Sequence, residues 1–153
     1  MGFLKGAGRM MIVAMVLGAC TSDAGEPAPT GPTANEQVIL DFIEAWSRLD
    51  PAELGTFFTE DGVYHNMPAQ PVQGRAQIEG FIGGFSASWT ETTWEVLNIM
   101  SAGDVVIAER VDHTKAGEKT VDLPVVGVFE MENGKIKVWR DYFDLATYTR
   151  GMS

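Results

Sequence analysis

The sequence predicts an α+β domain in which a strongly curved, antiparallel or mixed sheet and about three helices surround an apolar pocket. Apolar residues recur at helical spacing from Val38 to Trp89. From Thr92 onward the period falls to two, in four runs separated by turn dipeptides. Of the 153 residues 45% are hydrophobic, enough for one packed core. Helical runs followed by strand runs mean α+β rather than an alternating parallel fold. A curved sheet with helices across its concave side encloses a pocket, the usual form of a small-ligand site.

At the N-terminus, Met1 to Arg9 carries Lys5 and Arg9 and no acid, and Met10 to Leu17 is an unbroken apolar run. Gly18 and Ala19 are small and Cys20 follows, the layout of a secretory signal. As a helix this apolar run rises about 12 Å, far short of a bilayer core of about 30 Å. Leu17-Gly18-Ala19-Cys20 resembles the bacterial lipobox, which implies cleavage before Cys20 and acyl chains on it. A plain signal peptide is the alternative. Thr21 replaces the Asp that retains such proteins at the inner membrane, so the resemblance implies the periplasmic side of an outer membrane. Membrane contact is then through the lipid on Cys20 alone. Thr21 to Pro32 holds three prolines, two glycines and no large apolar residue, a linker composition. The expected organisation is a signal over 1–19, the anchor cysteine and linker over 20–33, and the folded domain over 34–150.

Thr33-Ala34-Asn35-Glu36 has the spacing of a capping box. After it, Val38, Ile39, Phe42, Ile43, Trp46 and Leu49 form one helical stripe. Asp50-Pro51 supplies a cap and a first-turn proline for a short second helix, with Leu54, Phe57 and Phe58 facing inward. Glu60-Asp61-Gly62 reads as a turn, and Val63 to Met67 as a short strand with Tyr64 and Asn66 on one face. Arg75 to Trp89 returns to helical spacing, and Gly80, Gly83 and Gly84 suggest close packing against a sheet. The strand runs are Trp94 to Met100, Val105 to Thr114, Thr120 to Met131 and Lys135 to Phe143. Asn133-Gly134 is the strongest hairpin signal among their turns.

The formal charge of −10 argues against nucleic acid, which needs a basic footprint. A neutral, apolar substrate suits an acidic chain better than an anion. Cys20 is the only cysteine, so no intrachain disulfide or thiolate zinc site can form. His65 and His113, the only histidines, make no motif, and the methionines read as core or signal.

Charge enters two strand runs where core residues are expected. Val106, Ala108, Arg110 and Asp112 share one face, and Trp139, Asp141 and Phe143 share another. Burying an unpaired charge costs several kcal/mol. The planar fork of an arginine suits bridging two carboxylates. The opposite faces hold Ile107, Val111, Ile136 and Val138, so periodicity leaves open which side is buried. Trp46 and Trp94 read as packing, and Arg140 and Asp144 as outer-face residues.

Taken together, four segments closely resemble the limonene-1,2-epoxide hydrolase family in order and spacing, from about Asn35 to Tyr148. They are Tyr64-x-Asn66-Met67-Pro68, Glu109-Arg110-Val111-Asp112, Gly127-Val128-Phe129 and Trp139-Arg140-Asp141-Tyr142-Phe143-Asp144. The resemblance implies a cone-shaped open barrel of the nuclear transport factor 2-like type and a homodimer. It implies that Asp141 is the general base, that Tyr64 and Asn66 hold the attacking water, and that Asp112 is the general acid. Arg110 then bridges the carboxylates. The substrates would be a small apolar epoxide and water, with no cofactor and no metal. Phe85, Trp89, Leu123, Val125, Trp139 and Phe143 are the expected pocket lining. His65 beside Tyr64, and the bulk of Phe85 and Trp89, depart from the family pattern and leave the substrate open. Two other readings fit the same fold: an isomerase or cyclase of the ketosteroid-isomerase or polyketide-cyclase type, and a non-catalytic lipoprotein that binds an apolar ligand.

Overall fold

The computed structural model describes Gly2 and residues 31–153; the expected signal, Cys20 and most of the linker lie outside the described residues. Helix α1 spans Ala34–Ala45 and starts at the expected capping box. Thr33 Oγ1 accepts from the Glu36 amide at 3.2 Å, and the Glu36 carboxylate accepts from the Thr33 amide at 2.7 Å. Its stripe buries Ile39, Phe42 and Ile43. The stripe ends early, because Trp46–Arg48 tightens to a 3₁₀ turn and Leu49 adopts φ 50°, leaving it only half-buried. Helix α2, Pro51–Gly55, is capped by Asp50, whose carboxylate accepts from the amides of Ala52 and Glu53.

Strand β1 runs Phe58–Asn66, β2 is Val72–Gln73 and helix α3 is Arg75–Ser86. The long strands β3 (Glu91–Ala102), β4 (Val105–Ala116), β5 (Lys119–Glu132) and β6 (Lys135–Phe143) follow, then helix α4, Leu145–Met152. They form one mixed, open sheet in the order β2-β1-β6-β5-β4-β3. Neighbours are antiparallel except β1 and β6, which run parallel. Ile39, Phe42, Leu54, Ile78 and Ile82 of the helices pack on Val106, Ala108, Phe129, Ile136 and Trp139 of the strands, all with no exposed surface.

Several expectations need correcting. Glu60-Asp61-Gly62 is no turn between elements; it is an irregularity inside β1, where the register against β6 shifts between Phe58 and Val63. Gly83 packs against Pro51 of α2 rather than against the sheet, and Gly80 and Gly84 have nothing within 4 Å of where a Cβ would stand. Asp144 is not an outer-face strand residue: its carboxylate caps the unforeseen α4, accepting from the amides of Ala146 and Thr147. The apolar positions of this helix, Leu145, Tyr148 and Met152, do stand at helical spacing behind the Asp144 cap, but over only eight residues at the end of a strand run.

Candidate active site

The alternation of β4 settles which face is inside. Val106, Ala108 and Arg110 have no exposed surface and Asp112 is 8% exposed, whereas Ile107 is 38% exposed on the convex side. On β6 the buried set is Trp139 and Asp141, but Ile136 is buried too. A register shift of β5 between Glu130 and Met131 breaks the alternation there.

Strand pairing assembles the polar groups. Gly127 of β5 lies opposite Ala108 of β4 on one side and Asp141 of β6 on the other. The parallel β1–β6 ladder sets Tyr64 beside Trp139 and Asn66 beside Asp141. Arg110 reaches both acids. Its Nε donates to Asp112 Oδ1 at 2.8 Å and its Nη1 to Asp141 Oδ1 at 3.1 Å. Nη2 donates to Asp141 Oδ2 at 2.7 Å and to Asp112 Oδ2 at 3.3 Å. The Trp139 indole N–H adds a third donor to Asp141, at 2.7 Å from Oδ1. Arg110 can come this close because position 127 is glycine: a Cβ there would stand 2.7 Å from Nη1 and from the Phe129 ring. Tyr64 lies flat on Trp139, with ring centroids 4.0 Å apart and planes 9° apart. Asn66 Oδ1 is buried with no protein partner.

Burial pushes the Asp112 carboxyl up to about 6, opposed by Arg110 and reinforced by Asp141. Burial also raises Asp141, against the pull of Arg110 and the Trp139 N–H. The pair shares one guanidinium and titrates as a unit. Donor count decides which member carries the charge: Asp141 accepts three N–H bonds and Asp112 two, one of them long. Hydrogen bonds to the ionised form favour it, so Asp141 is the better seat for the anion and Asp112 the acid that takes up a proton more readily. Burial, then the Asp141 charge, hold the Tyr64 phenol well above its usual range, so it stays a donor. The Arg110 guanidinium pays for its burial but is raised further by the two acids, so it remains a cation.

These groups border a cavity of about 190 Å³. Its lining includes Tyr64, Asn66, Asp112 and Asp141, and the expected Phe85, Trp89, Leu123, Val125 and Phe143. Trp139 does not line it; fully buried, it lies beneath Tyr64 and holds Asp141. Arg110 is likewise behind the wall. Trp46 and Trp94, read from the sequence as packing, do line the cavity, with Phe81, Leu145 and Tyr148. Phe81 was legible as part of the α3 stripe, whereas Leu145 and Tyr148 belong to the unforeseen α4. Among the described residues, no cluster of three or more His, Cys, Asp or Glu is placed to hold a metal ion.

Comparison with known proteins matches residues 39–139, two thirds of the chain, to the SnoaL-like domain. The chain belongs to the SnoaL-like family. Within it, 58 residues are 38% identical to the epoxide hydrolase EphG of Mycobacterium tuberculosis, spanning 38% of this chain and 39% of that relative. The structure of a limonene-epoxide-hydrolase-like (LEH-like) epoxide hydrolase from M. tuberculosis superposes with a TM-score of 0.68 at 25% identity, over 77% of this chain and 88% of that one. A protein described as a SnoaL-like polyketide cyclase, from Shewanella putrefaciens, superposes at 0.71 with 18% identity, over 80% and 98% of the two chains. A Catenulispora acidiphila protein of ketosteroid-isomerase-like fold, in complex with trimethylamine, gives 0.69 at 23% identity over 75% and 91%. The last two likenesses establish the nuclear transport factor 2-like fold and nothing about chemistry.

Proposed function

We propose that the protein adds water to a compact, apolar epoxide and releases a vicinal diol. One observation carries the reading: a buried arginine bridges two buried carboxylates, Asp112 and Asp141, that border an apolar cavity next to Tyr64 and Asn66. Two buried acids add desolvation cost that a simple binding pocket has no use for. The likeness to mycobacterial epoxide hydrolase sequence and structure supports the same reading.

In this reaction Tyr64, Asn66 and the Asp141 carboxylate hold a water molecule. Its oxygen bonds to an epoxide carbon while one of its protons passes to Asp141. The carbon–oxygen bond of the ring breaks, and the released oxygen takes the proton of Asp112. Asp141 ends neutral and Asp112 ionised, and transfer of one proton back between them, directly or through solvent, restores the start. The pair carries one negative charge before and after the step, so Arg110, which touches both, faces the same net charge throughout. Acid and base groups placed this way contribute about 10²–10⁴-fold each. The cavity is smaller than the roughly 300–1,000 Å³ clefts that take drug-sized ligands, which favours a single-ring epoxide over a sterol or long-chain one.

A single turnover in ¹⁸O-water, with a panel of compact epoxides, tests the proposal. Label in the first-turnover diol is expected, and folded Asp141→Ala should lose turnover. A first diol carrying enzyme oxygen, or near-normal rates in folded Asp141→Ala, would sink it. Enone isomerisation without diol formation would move the assignment to the isomerase-like reading.

A further inference from the structure

We propose that Trp94 is a positioning residue that fixes the plane of the Arg110 guanidinium through its indole face, and thereby the arrangement of both acids. Its consequence for turnover rests on the proposed hydrolysis; its consequence for the acids does not.

Trp94 lies on β3 directly opposite Asp112 of β4, and Val96 lies opposite Arg110. Trp94 and Arg110 are therefore diagonal neighbours on the concave face, within reach of long side chains. The guanidinium carbon stands 4.2 Å over the Trp94 ring and 5.9 Å from that of Trp139. Both distances fall within the range of about 6 Å in which a ring quadrupole attracts a cation. All three guanidinium nitrogens are committed in the plane of the fork, with Nη2 shared between the acids at 2.7 and 3.3 Å. In-plane bonds do not resist tilting of the fork as a contact on its face does. A tilt would lengthen both Nη2 bonds together, because a single nitrogen serves both carboxylates.

The indole is itself held. Its N–H donates to Thr92 Oγ1 at 3.1 Å, and that hydroxyl is 2.9 Å from Thr114 Oγ1. Thr92 and Thr114 are 1% and 3% exposed, so this anchor is inside the protein. Trp46 stacks on Trp94 with centroids 4.4 Å apart and planes 21° apart. Three elements thus converge to orient one ring against one cation: the end of α1 with its 3₁₀ turn, β3 and β4. An aliphatic residue could fill this volume but would offer the cation no negative face.

The comparison of Trp94→Leu with Trp94→Phe tests the proposal, with Trp94→Met replacing the leucine variant if that one does not fold. The acids are titrated by carboxyl-¹³C NMR, and kcat and KM are measured on the best epoxide of the panel. With Leu, the looser guanidinium should support the carboxylate less, raising the titration of the pair by about one pH unit. It should lower kcat by about 10–100-fold with KM within about twofold, the signature of misplaced catalytic groups. Phe should stay close to wild type in both. Wild-type titration in the leucine variant, or equal shifts in Leu and Phe, overturns the proposal, and so does a loss confined to KM, which would make Trp94 only a substrate wall. If the wild type opens no epoxide, the hydrolase reading fails and the titration alone decides the role of Trp94.

Discussion

Replacing Asp112 by Asn should make the protein inactive and more stable at the same time. The carboxyl rises from its ordinary 3.8 to about 6 on folding, chiefly because burial disfavours its ionised form. A group raised in the folded state stabilises it fully below the unfolded value, and that advantage is lost as pH climbs through the folded value. At 1.36 kcal/mol per pH unit, the ionised acid costs the folded chain about 3 kcal/mol above pH 6. Asparagine removes the charge and keeps the shape. It can still accept from Arg110 Nε, the 2.8 Å bond, but must give up the 3.3 Å contact with Nη2. Losing that long bond costs about 1 kcal/mol. The expected net gain at pH 8 is about 2 kcal/mol, which for a domain of this size raises Tm by roughly 5–10 °C. The gain should shrink from pH 6 downward and be gone by pH 4, where the folded wild-type acid is neutral and the burial cost that remains, about 0.5 kcal/mol, is smaller than that of the lost bond. Thermal melts of both proteins between pH 4 and pH 8 measure it. An Asn variant that is less stable at pH 8, or whose advantage does not vary with pH, would refute the view that Asp112 is held ionisable against its solvation.

The other expectations concern the neighbours of that acid and the far side of the sheet. Gly127→Ala places a methyl 2.7 Å from Arg110 Nη1 and from Phe129 in a fully packed region, so it should cost about 1–3 kcal/mol and lower turnover; an alanine variant with unchanged melting and rate would show that the guanidinium has room to move. On the convex face, Met100, Ile107, Val126 and Tyr142 expose 58%, 38%, 38% and 45% of their surface in adjoining rows of β3 to β6. We propose that a second copy covers this face: light scattering should give a dimer, and Ile107→Glu a folded monomer, whereas a wild-type monomer at micromolar concentration would remove the idea.

The parts of the fold that could be read in the sequence are those governed by local period. The capping box at Thr33, the proline-started α2 and the hairpin at Asn133-Gly134 rest on contacts within four residues, and each formed where its residues stand. β6 matches its expected run from Lys135 to Phe143 at both ends. The misses have long-range causes. The β1 irregularity is fixed by where Val63 must pair with Val138, far away in sequence. Helix α4 depends on one capping carboxylate and on the apolar patch of Val121, Leu123 and Val125, which no local pattern announces. Trp94 and Trp139 exchanged their expected places, in the cavity wall and behind it, because register decides which aromatic ring comes between the cation and the substrate space.

Relatives on this fold with dissimilar names make the scaffold a poor witness to chemistry, so the weight falls on how one pair of acids is made unequal. The strands bring Asp112 and Asp141 to a common guanidinium, which by symmetry would treat them alike. The symmetry is broken by a residue on β6 itself: Trp139 sits two positions before Asp141, shares its face, and turns its N–H back onto Oδ1. Asp112 has Arg110 at the equivalent offset on β4, so its internal donor is the bridge that both acids already share. That single extra donor gives a preferred site for the anion beside Asn66, which the parallel β1–β6 ladder sets next to Asp141, and leaves Asp112 the acid that protonates more readily. In the proposed hydrolysis, division of labour between acid and base therefore follows from which strand carries the tryptophan, and Trp139→Phe, which removes that indole N–H, should narrow the difference between the two acids in a carboxyl-¹³C titration.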